Sequence, residues 1–564
     1  MAADGKLTNR IIANSREYNL HCEADMQNTA GNKKYRKLLR PFEIALLASV
    51  ALSPVAAQAQ QPQRPNIVVI WGDDIGFWNL STYSRGTMGY RTPNIDRIGK
   101  EGAIFTDHYA QPSCTAGRAA FITGQLPIRS GLTTVGSVGS PQGLKFETVT
   151  LAEVLKQQGY ITGQFGKNHL GDRNEHLPTV HGFDEFLGNL YHLNTEEEPE
   201  DSDYPTDNAF KKAHAARGVL HCYATSTDQP GEDPRFGKWG KQRCEDTGTL
   251  TRARMVYADD EFIDASFKFM DKAVAEKRPF FTWIATSRQH VFIHPPQEYL
   301  DQCRKYTSGD DVSCAGMLQH DHDVGVVLKK LDDLGIANNT IVIYSTDNGP
   351  EHNTFPDGGT TPYRGEKMTT WEAGMRVPML VRWPGHIPAG EELNGIQSQE
   401  DVFTTLAAAA GVTDVRERAA RGDKFGTDTL KRNYIDGVNN LDYWTGKSAD
   451  SSRNAIFYYA ESRLQALRVN QWKWHFYTRE CYFCPTVKLE IPTMFNIRQD
   501  PFESYESAQG MRQNLQMRKQ GLYHLGGDVL AEHLRTLKEY PPAQIGGSLS
   551  VGEIMEQILN QRGD

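Results

Sequence analysis

The sequence predicts an α/β protein: a large, mostly parallel sheet sandwiched by helices, with a smaller C-terminal α+β region built on an antiparallel sheet. Three observations predict it. Short apolar runs without polar alternation, "NIVVIWG", "PFFTWIAT" and "TIVIYST", suit strands buried on both faces. Stretches with helical spacing alternate with these runs, which is the order of a parallel sheet with helices on both faces. From about residue 450 the texture changes to short alternating runs rich in aromatics, which suit an antiparallel sheet.

Each element follows in order. "RPNIVVIWGDD" (64–74) reads as a strand that stops at two acids. "TVTLAEVLKQQGY" (148–160) reads as a helix with a glycine stop, and "YITGQFGKNHLGD" as a strand turning into a glycine-rich loop. Residues 195–250 are acidic and weakly periodic and read as a long insertion near the site. One long amphipathic helix is expected over 252–277, a strand over 279–286 and a helix over 323–335. A strand ending in an acid and an amide follows over 340–349. Beyond 450, "AIFYYAE", "LQALRVNQWKWHFY" and "TMFNIRQDP" read as strands and "GEIMEQILNQR" as a terminal helix. The expected domains are an N-terminal extension with signal peptide (1–59), the large α/β domain (60–449) and the C-terminal region (450–564).

The N-terminal segment has the form of an address. A basic stretch, "KKYRKLLR", precedes an apolar one that ends in Ala57-Gln58-Ala59, a small-residue cleavage pattern. The reading places initiation at Met26, cleavage near Ala59 and the mature protein outside the cytoplasm, periplasmic or secreted. No stable membrane span is expected, because the apolar run is short and broken by Pro54. A formal net charge of −9 excludes a general nucleic-acid binder, which would show a basic excess. Export bears on the eight cysteines. In an oxidising compartment the sequence-local pairs 222–244, 303–314 and 481–484 become candidates, although connectivity does not follow from sequence. The spacing of Cys481 and Cys484 would also suit redox chemistry or half a metal site.

The chemistry gathers where strands end. In such sheets ligands bind beyond the carboxyl ends of the strands. Asp73 and Asp74 end one apolar run, and Asp347 and Asn348 end another. Converged, these hard oxygens would repel one another unless a cation sat among them, and they select calcium or magnesium. Cys114 stands near the start of a helix, with Arg118 one turn on and on the same face. A soft thiol beside a hard cation is a mismatch, so Cys114 is expected not to remain a cysteine.

At these residues the chain resembles the type I sulfatases, arylsulfatase-like members of the alkaline-phosphatase-like superfamily. The family motif Cys-x-Pro-Ser-Arg, followed by Thr-Gly, stands here as Cys114-Thr115-Ala116-Gly117-Arg118, with Thr123-Gly124 following. The resemblance is strong over about 64–390 and returns in "MFNIRQDPFE" (494–503). It implies an alkaline-phosphatase-like fold and hydrolysis of a sulfate ester to an alcohol or phenol plus inorganic sulfate. It implies that Cys114 is oxidised to formylglycine, whose hydrate attacks sulfur. Asp73, Asp74, Asp347, Asn348 and the modified Cys114 would hold Ca2+, with Mg2+ as the alternative. Arg118 would hold the hydrate. In "GKNHLGD", Lys167 would bind a sulfate oxygen and His169 the formylglycine hydroxyl. His290 would protonate the leaving group, a role for which His294 competes. Lys367, in "YRGEKMTTWEAGMRVP", would bind sulfate. His320 and His322 read as a helix face.

The motif departs at Ala116 and Gly117, which replace proline and serine and so bear on how the maturation enzyme reads the segment. The implied partners are that formylglycine-generating enzyme and a small-molecule or carbohydrate sulfate ester. Two rival readings stay open: a phosphonate or phosphodiester hydrolase of the same superfamily, and a non-catalytic binder of sulfated glycans. Trp472 and Trp474 are candidates for stacking on a substrate ring, although in such strands aromatics are more often core.

Overall fold

The computed structural model describes residues 64–307, 309–505, 510–552 and 555. The expected signal segment, Cys22 and nearly all of the expected terminal helix lie outside these residues. No helix among the described residues is long and apolar enough to cross a membrane.

Twelve strands belong to the large α/β part: β1 (Asn66–Gly72), β2 (Ala103–Phe105), β3 (His108–Tyr109), β4 (Ile161–Gly166), β5 (Glu185–Gly188), β6 (Leu220–Asp233), β7 (Gly237–Asp246), β8 (Phe280–Ala285), β9 (Thr340–Thr346), β10 (Met379–Arg382), β11 (Glu391–Leu393) and β12 (Gln397–Ser398). Ten of them form one sheet in the order β11-β2-β10-β9-β1-β8-β4-β5-β6-β7. The centre, β9-β1-β8-β4-β5, is parallel. β10 on one side and the β6–β7 hairpin on the other are antiparallel. The sheet is therefore mixed and mostly parallel at its core, as expected.

The apolar runs explain the layering. Successive side chains of a strand point to opposite faces. Ile67, Val69 and Trp71 of β1 enter one core, and Val68 and Ile70 enter the other. The first core is closed by helices Cys114–Thr123 and Gln399–Ala409, the second by Ala258–Ala275 and Val312–Asp333. Phe121 lodges against Trp71 and Trp283, with ring centroids 5.0 Å from each. That contact pins the helix that begins at Cys114 to the middle of the sheet.

One expectation is corrected. The helix expected over 252–277 is two helices, Arg252–Met255 and Ala258–Ala275. The buried Arg288 guanidinium takes the carbonyl oxygens of Met255 and Val256, and Gln319 takes Val256 as well, which opens the ladder there. The weakly periodic 195–250 segment contains the β6–β7 hairpin, which extends the main sheet. Its outer half is solvent-exposed, so it carries no apolar alternation. Cys222 and Cys244 face each other across this hairpin and are disulfide-bonded, as are Cys303–Cys314 and Cys481–Cys484.

The C-terminal part is a four-stranded antiparallel sheet of β13 (Ala455–Ala460), β14 (Arg463–Val469), β15 (Trp472–Thr478) and β16 (Val487–Asn496), with helix Leu522–Glu539 packed on it. Trp474 is buried in that packing and Trp472 lines it, so both are core. A charged seam joins this sheet to the rest. Lys473 Nζ lies 3.0 Å from Glu372 and 2.9 Å from Glu503, and Arg468 is paired with Asp107. Glu503 also accepts the backbone N–H of Glu372 at 2.7 Å.

Glu400 sits buried at the start of helix Gln399–Ala409. Burial, opposed by Arg453, pushes its carboxyl up to about 8. A raised folded value favours the protonated form, so the stability it contributes is full below about 4.5 and is lost as pH rises through about 8. Glu400→Gln should remove that loss, at about 1.4 kcal/mol per pH unit over the window. Thermal unfolding of both proteins from pH 5 to 9 checks it: the variant's Tm should fall less.

Candidate active site

The sheet register builds the site. Gly72 of β1 pairs with Thr346 of β9, so the next residues, Asp73-Asp74 and Asp347-Asn348, leave the sheet side by side. On the other flank Trp71 pairs with Ala285 of β8, and Ala285 with Gly166 of β4. Lys167 thus leaves β4 at the same level. The segment after β8 folds back over β1: Asp73 N donates to Arg288 O and Gln289 N to Asp73 O, at 2.5 and 2.6 Å. This clasp sets His290 above Asp74.

Cys114 is the first residue of its helix and is only 3% exposed, with Sγ 3.9 Å from Asp74 Oδ1. Burial drives its thiol well up, against Lys167 and Lys367, so it stays protonated. One turn on, Arg118 donates to Asp347 Oδ2 from Nε and Nη2 at 3.0 and 2.8 Å, and from Nη1 to Lys167 O at 2.8 Å. Lys167 Nζ meets Asp73 Oδ2 at 2.5 Å. Lys367 Nζ reaches Asp74 Oδ2 at 2.8 Å, Glu351 Oε2 at 2.9 Å and His290 Nε2 at 3.2 Å. Nδ1 of His290 lies 2.6 Å from Val291 O, which fixes the proton on Nδ1 and leaves Nε2 to accept from Lys367. Burial first, then Lys367 and Lys167, keeps this imidazole well below its ordinary value.

The structure therefore gathers Asp73, Asp74, Cys114, Arg118, Lys167, His290, Asp347, Asn348 and Lys367. His169 is buried nearby, at a backbone φ of +59°, and neither ring nitrogen has a protein partner. His294 instead pairs with Glu197 at 2.5 Å. His320 lies in helix Val312–Asp333, between Thr286 and the Tyr344 hydroxyl, and belongs to the core.

Two site residues escaped the sequence. Glu351 is the second carboxylate on Lys367, and its only signal is its place just after the acid-amide turn. His192 lies between the two expected histidines: its ring is parallel to His290 at 5.3 Å and edge-on to His169 at 5.4 Å. Nothing in the residues around it marks that position.

A divalent cation fits this donor set. Ligand atoms of Asp73, Asp74, Cys114 and Asp347 all lie within 4.8 Å of one another. Asp73 Oδ1 and Asn348 Oδ1 are buried without a hydrogen-bond partner. Such orphaned oxygens are costly unless a cation or water takes them. Four carboxylates, Asp73, Asp74, Asp347 and Glu351, face Arg118, Lys167 and Lys367. The net negative charge left over is one that a divalent ion and a singly charged ester would together cancel. Asp74 registers the crowding: burial, opposed by Lys367 and aided by Glu351 and Asp347, pushes it up to about 6.

Comparison with known proteins agrees along most of the chain. The family profile described as Sulfatase matches residues 65–412, and that of the C-terminal region of aryl-sulfatase matches 451–554. The N-acetylgalactosamine-6-sulfatase of Homo sapiens is 32% identical over 477 residues, covering 79% of this chain and 81% of its own. Arylsulfatase A of Bos taurus is 32% identical over 490 residues, covering 80% and 85%. Among solved structures, the PsFucS1 sulfatase from Pseudoalteromonas sp. matches with a TM-score of 0.70 at 26% identity, over 86% of this chain and 93% of that one.

Gly117 packs directly against the Asp347 turn. A Cβ there would stand 1.9 Å from the backbone oxygen of Asp347. Ala116 lies in the helix's first turn, where proline and alanine both fit because the N–H has no partner within the helix. Gly117→Ser should push the helix off the Asp347 turn and cost about 1–3 kcal/mol, as overpacking does. Ala116→Pro should cost far less. Chemical denaturation of the two variants checks the contrast.

Proposed function

Since the chain belongs to the sulfatase family and is a sulfuric ester hydrolase, we propose that it cleaves its ester with Cys114 in the formylglycine form, against a bound divalent cation. Calcium is preferred to magnesium, because the chain itself offers several carboxylate and amide oxygens, more than the one or two carboxylates by which magnesium is usually held. The convergence of the β1 and β9 ends on Cys114, with two orphaned oxygens among them, carries the reading. A cation there would supply Lewis acidity toward the hydrate and a sulfate oxygen. The formylglycine hydrate would supply an oxygen nucleophile and a second hydroxyl through which sulfate can be expelled as the aldehyde returns.

The remaining work falls to the chain's own groups. Arg118 holds Asp347 and the carbonyl of Lys167, and so keeps one ligand carboxylate from turning away. Lys167 and Lys367 place two ammonium groups where the sulfuryl oxygens gather charge. His290 and Lys367 act as a pair. As found, Nε2 accepts from Lys367, so His290 acts as the acid only once it carries a proton on Nε2 and that N–H turns from Lys367 to the leaving oxygen, while Lys367 keeps its own charge. His169 has free ring nitrogens with which to take the residual hydroxyl proton.

Maturation is assigned to a formylglycine-generating enzyme that accepts Ala116 and Gly117. A sulfated saccharide is the proposed substrate class, on the strength of the N-acetylgalactosamine-6-sulfatase likeness. Export, to the periplasm or beyond, is proposed from the N-terminal address and is supported by three disulfides.

Mass spectrometry of the peptide bearing residue 114 should show a species lighter than the cysteine form. Cys114→Ser, left unmodified, should abolish steady-state release of sulfate, and undiminished turnover would refute the assignment. Chelation should remove activity and added Ca2+ restore it. His290→Gln should slow the enzyme by about 100-fold, and more for alkyl than for nitrophenyl esters, since a poor leaving group needs the proton more. Measured sulfate release across a leaving-group series reads that slope.

A further inference from the structure

The segment "ECYFC" (480–484) lies in the C-terminal part, yet it is tied to the catalytic loop. Glu366, the neighbour of Lys367, is a buried carboxylate that spans two segments. Its Oε1 accepts from Tyr482 N at 3.0 Å and its Oε2 from His352 N at 2.7 Å. His352 directly follows Glu351, the second carboxylate on Lys367. The Cys481–Cys484 disulfide closes the loop into one tight turn, with Cys484 N bonded to Cys481 O at 3.1 Å. Arg479 donates to Tyr482 O, and Glu480 pairs with Arg364 at 2.9 Å.

This bracing holds two aromatic rings in different settings. Tyr482 is half-buried, and its phenol feels the charges at the site: burial pushes it up to about 12, with Lys367 opposing and Glu351, Cys114 and Asp74 adding. Phe483 packs on it at 4.6 Å between centroids yet is 79% exposed. A large apolar ring held out in water by a disulfide-closed turn is a surface kept for contact. Glu480, in the same short segment, is half-exposed. A sugar ring offers that combination, with C–H faces to stack on an aromatic and hydroxyls at its edge for charged neighbours.

We propose that Tyr482 and Phe483, fixed by the Cys481–Cys484 bridge, form the wall that receives the pyranose ring carrying the sulfate. Phe483 stacks on the ring face, and Tyr482 stands between that face and the sulfate pocket. The wall sets saccharide selectivity, and it rests on the sulfatase reading above.

The test compares a 6-sulfated N-acetylhexosamine with ethyl sulfate and 4-nitrophenyl sulfate. In Phe483→Ala the preference for the sugar ester over ethyl sulfate, as a ratio of kcat/KM, should fall about five- to tenfold, the size of a lost aromatic stack. The fall should appear in KM, and Phe483→Trp should restore the ratio. A ratio that does not move, an equal loss on all three esters, or a loss confined to the nitrophenyl ester would each overturn the wall. Calorimetric titration of the Cys114→Ala protein with the sulfated sugar reads the wall without turnover. Phe483→Ala in that background should weaken binding by the same factor, and unchanged binding overturns the proposal. If the matured enzyme hydrolyses none of the esters, the functional reading fails, and the titration still decides the wall.

Discussion

The pairing of Gly72 with Thr346 is the constraint on which the site depends. It brings two acidic turns, more than 270 residues apart in sequence, into one buried space. Carboxylates brought that close out of water are unfavourable unless opposite charge meets them. The chain answers with Arg118 from the second turn of a helix, Lys167 from the end of β4 and Lys367 from the loop before β10. Arg118 also holds the carbonyl of Lys167 and Lys367 also reaches His290, so positioning and charge neutralisation use the same atoms. A one-residue slip of β9 would turn these side chains to the other face and dismantle the set at once.

The C-terminal sheet enters through the buried seam. Glu372 is held by Lys473, by the hydroxyls of Tyr109 and Tyr458, and at its backbone by Glu503. Leaving one member of such a group unpaired typically costs about 3–5 kcal/mol, whereas the whole group adds little net stability over a well-packed apolar seam. Its effect is registry. The "TTWEAG" turn lies between Lys367 and β10, and Glu503 fixes where that turn begins. The resemblance in "MFNIRQDPFE" therefore has a physical content: the glutamate that ends it is a strut for the loop that carries Lys367.

What could be read from the residues alone was whatever burial imposes. Strands covered on both faces must be apolar throughout, so β1, β8 and β9 were visible, and so were the acids at their ends. The spacing of Cys114 and Arg118 was visible as one helical turn. Lys167, His169, His290 and Lys367 were not; single polar residues in loops look alike, and the family resemblance alone distinguished them. His192 and Glu351 stayed hidden because their roles exist only across space. The exposed half of the β6–β7 hairpin needs no apolar pattern, so none is written there. The break at Val256 comes from Arg288, some thirty residues on, where no local rule could find it.

Cys114 lies at the carboxyl ends of the central strands with its helix wholly buried. No enzyme that must grasp the surrounding segment can reach it once the chain has closed. The oxidation proposed for it would therefore belong to the interval between synthesis and folding, and the two processes would race. A molecule that folded first would keep its thiol. The specific activity of a preparation would then record that race, and slower folding, rather than longer incubation with the modifying catalyst, would raise it.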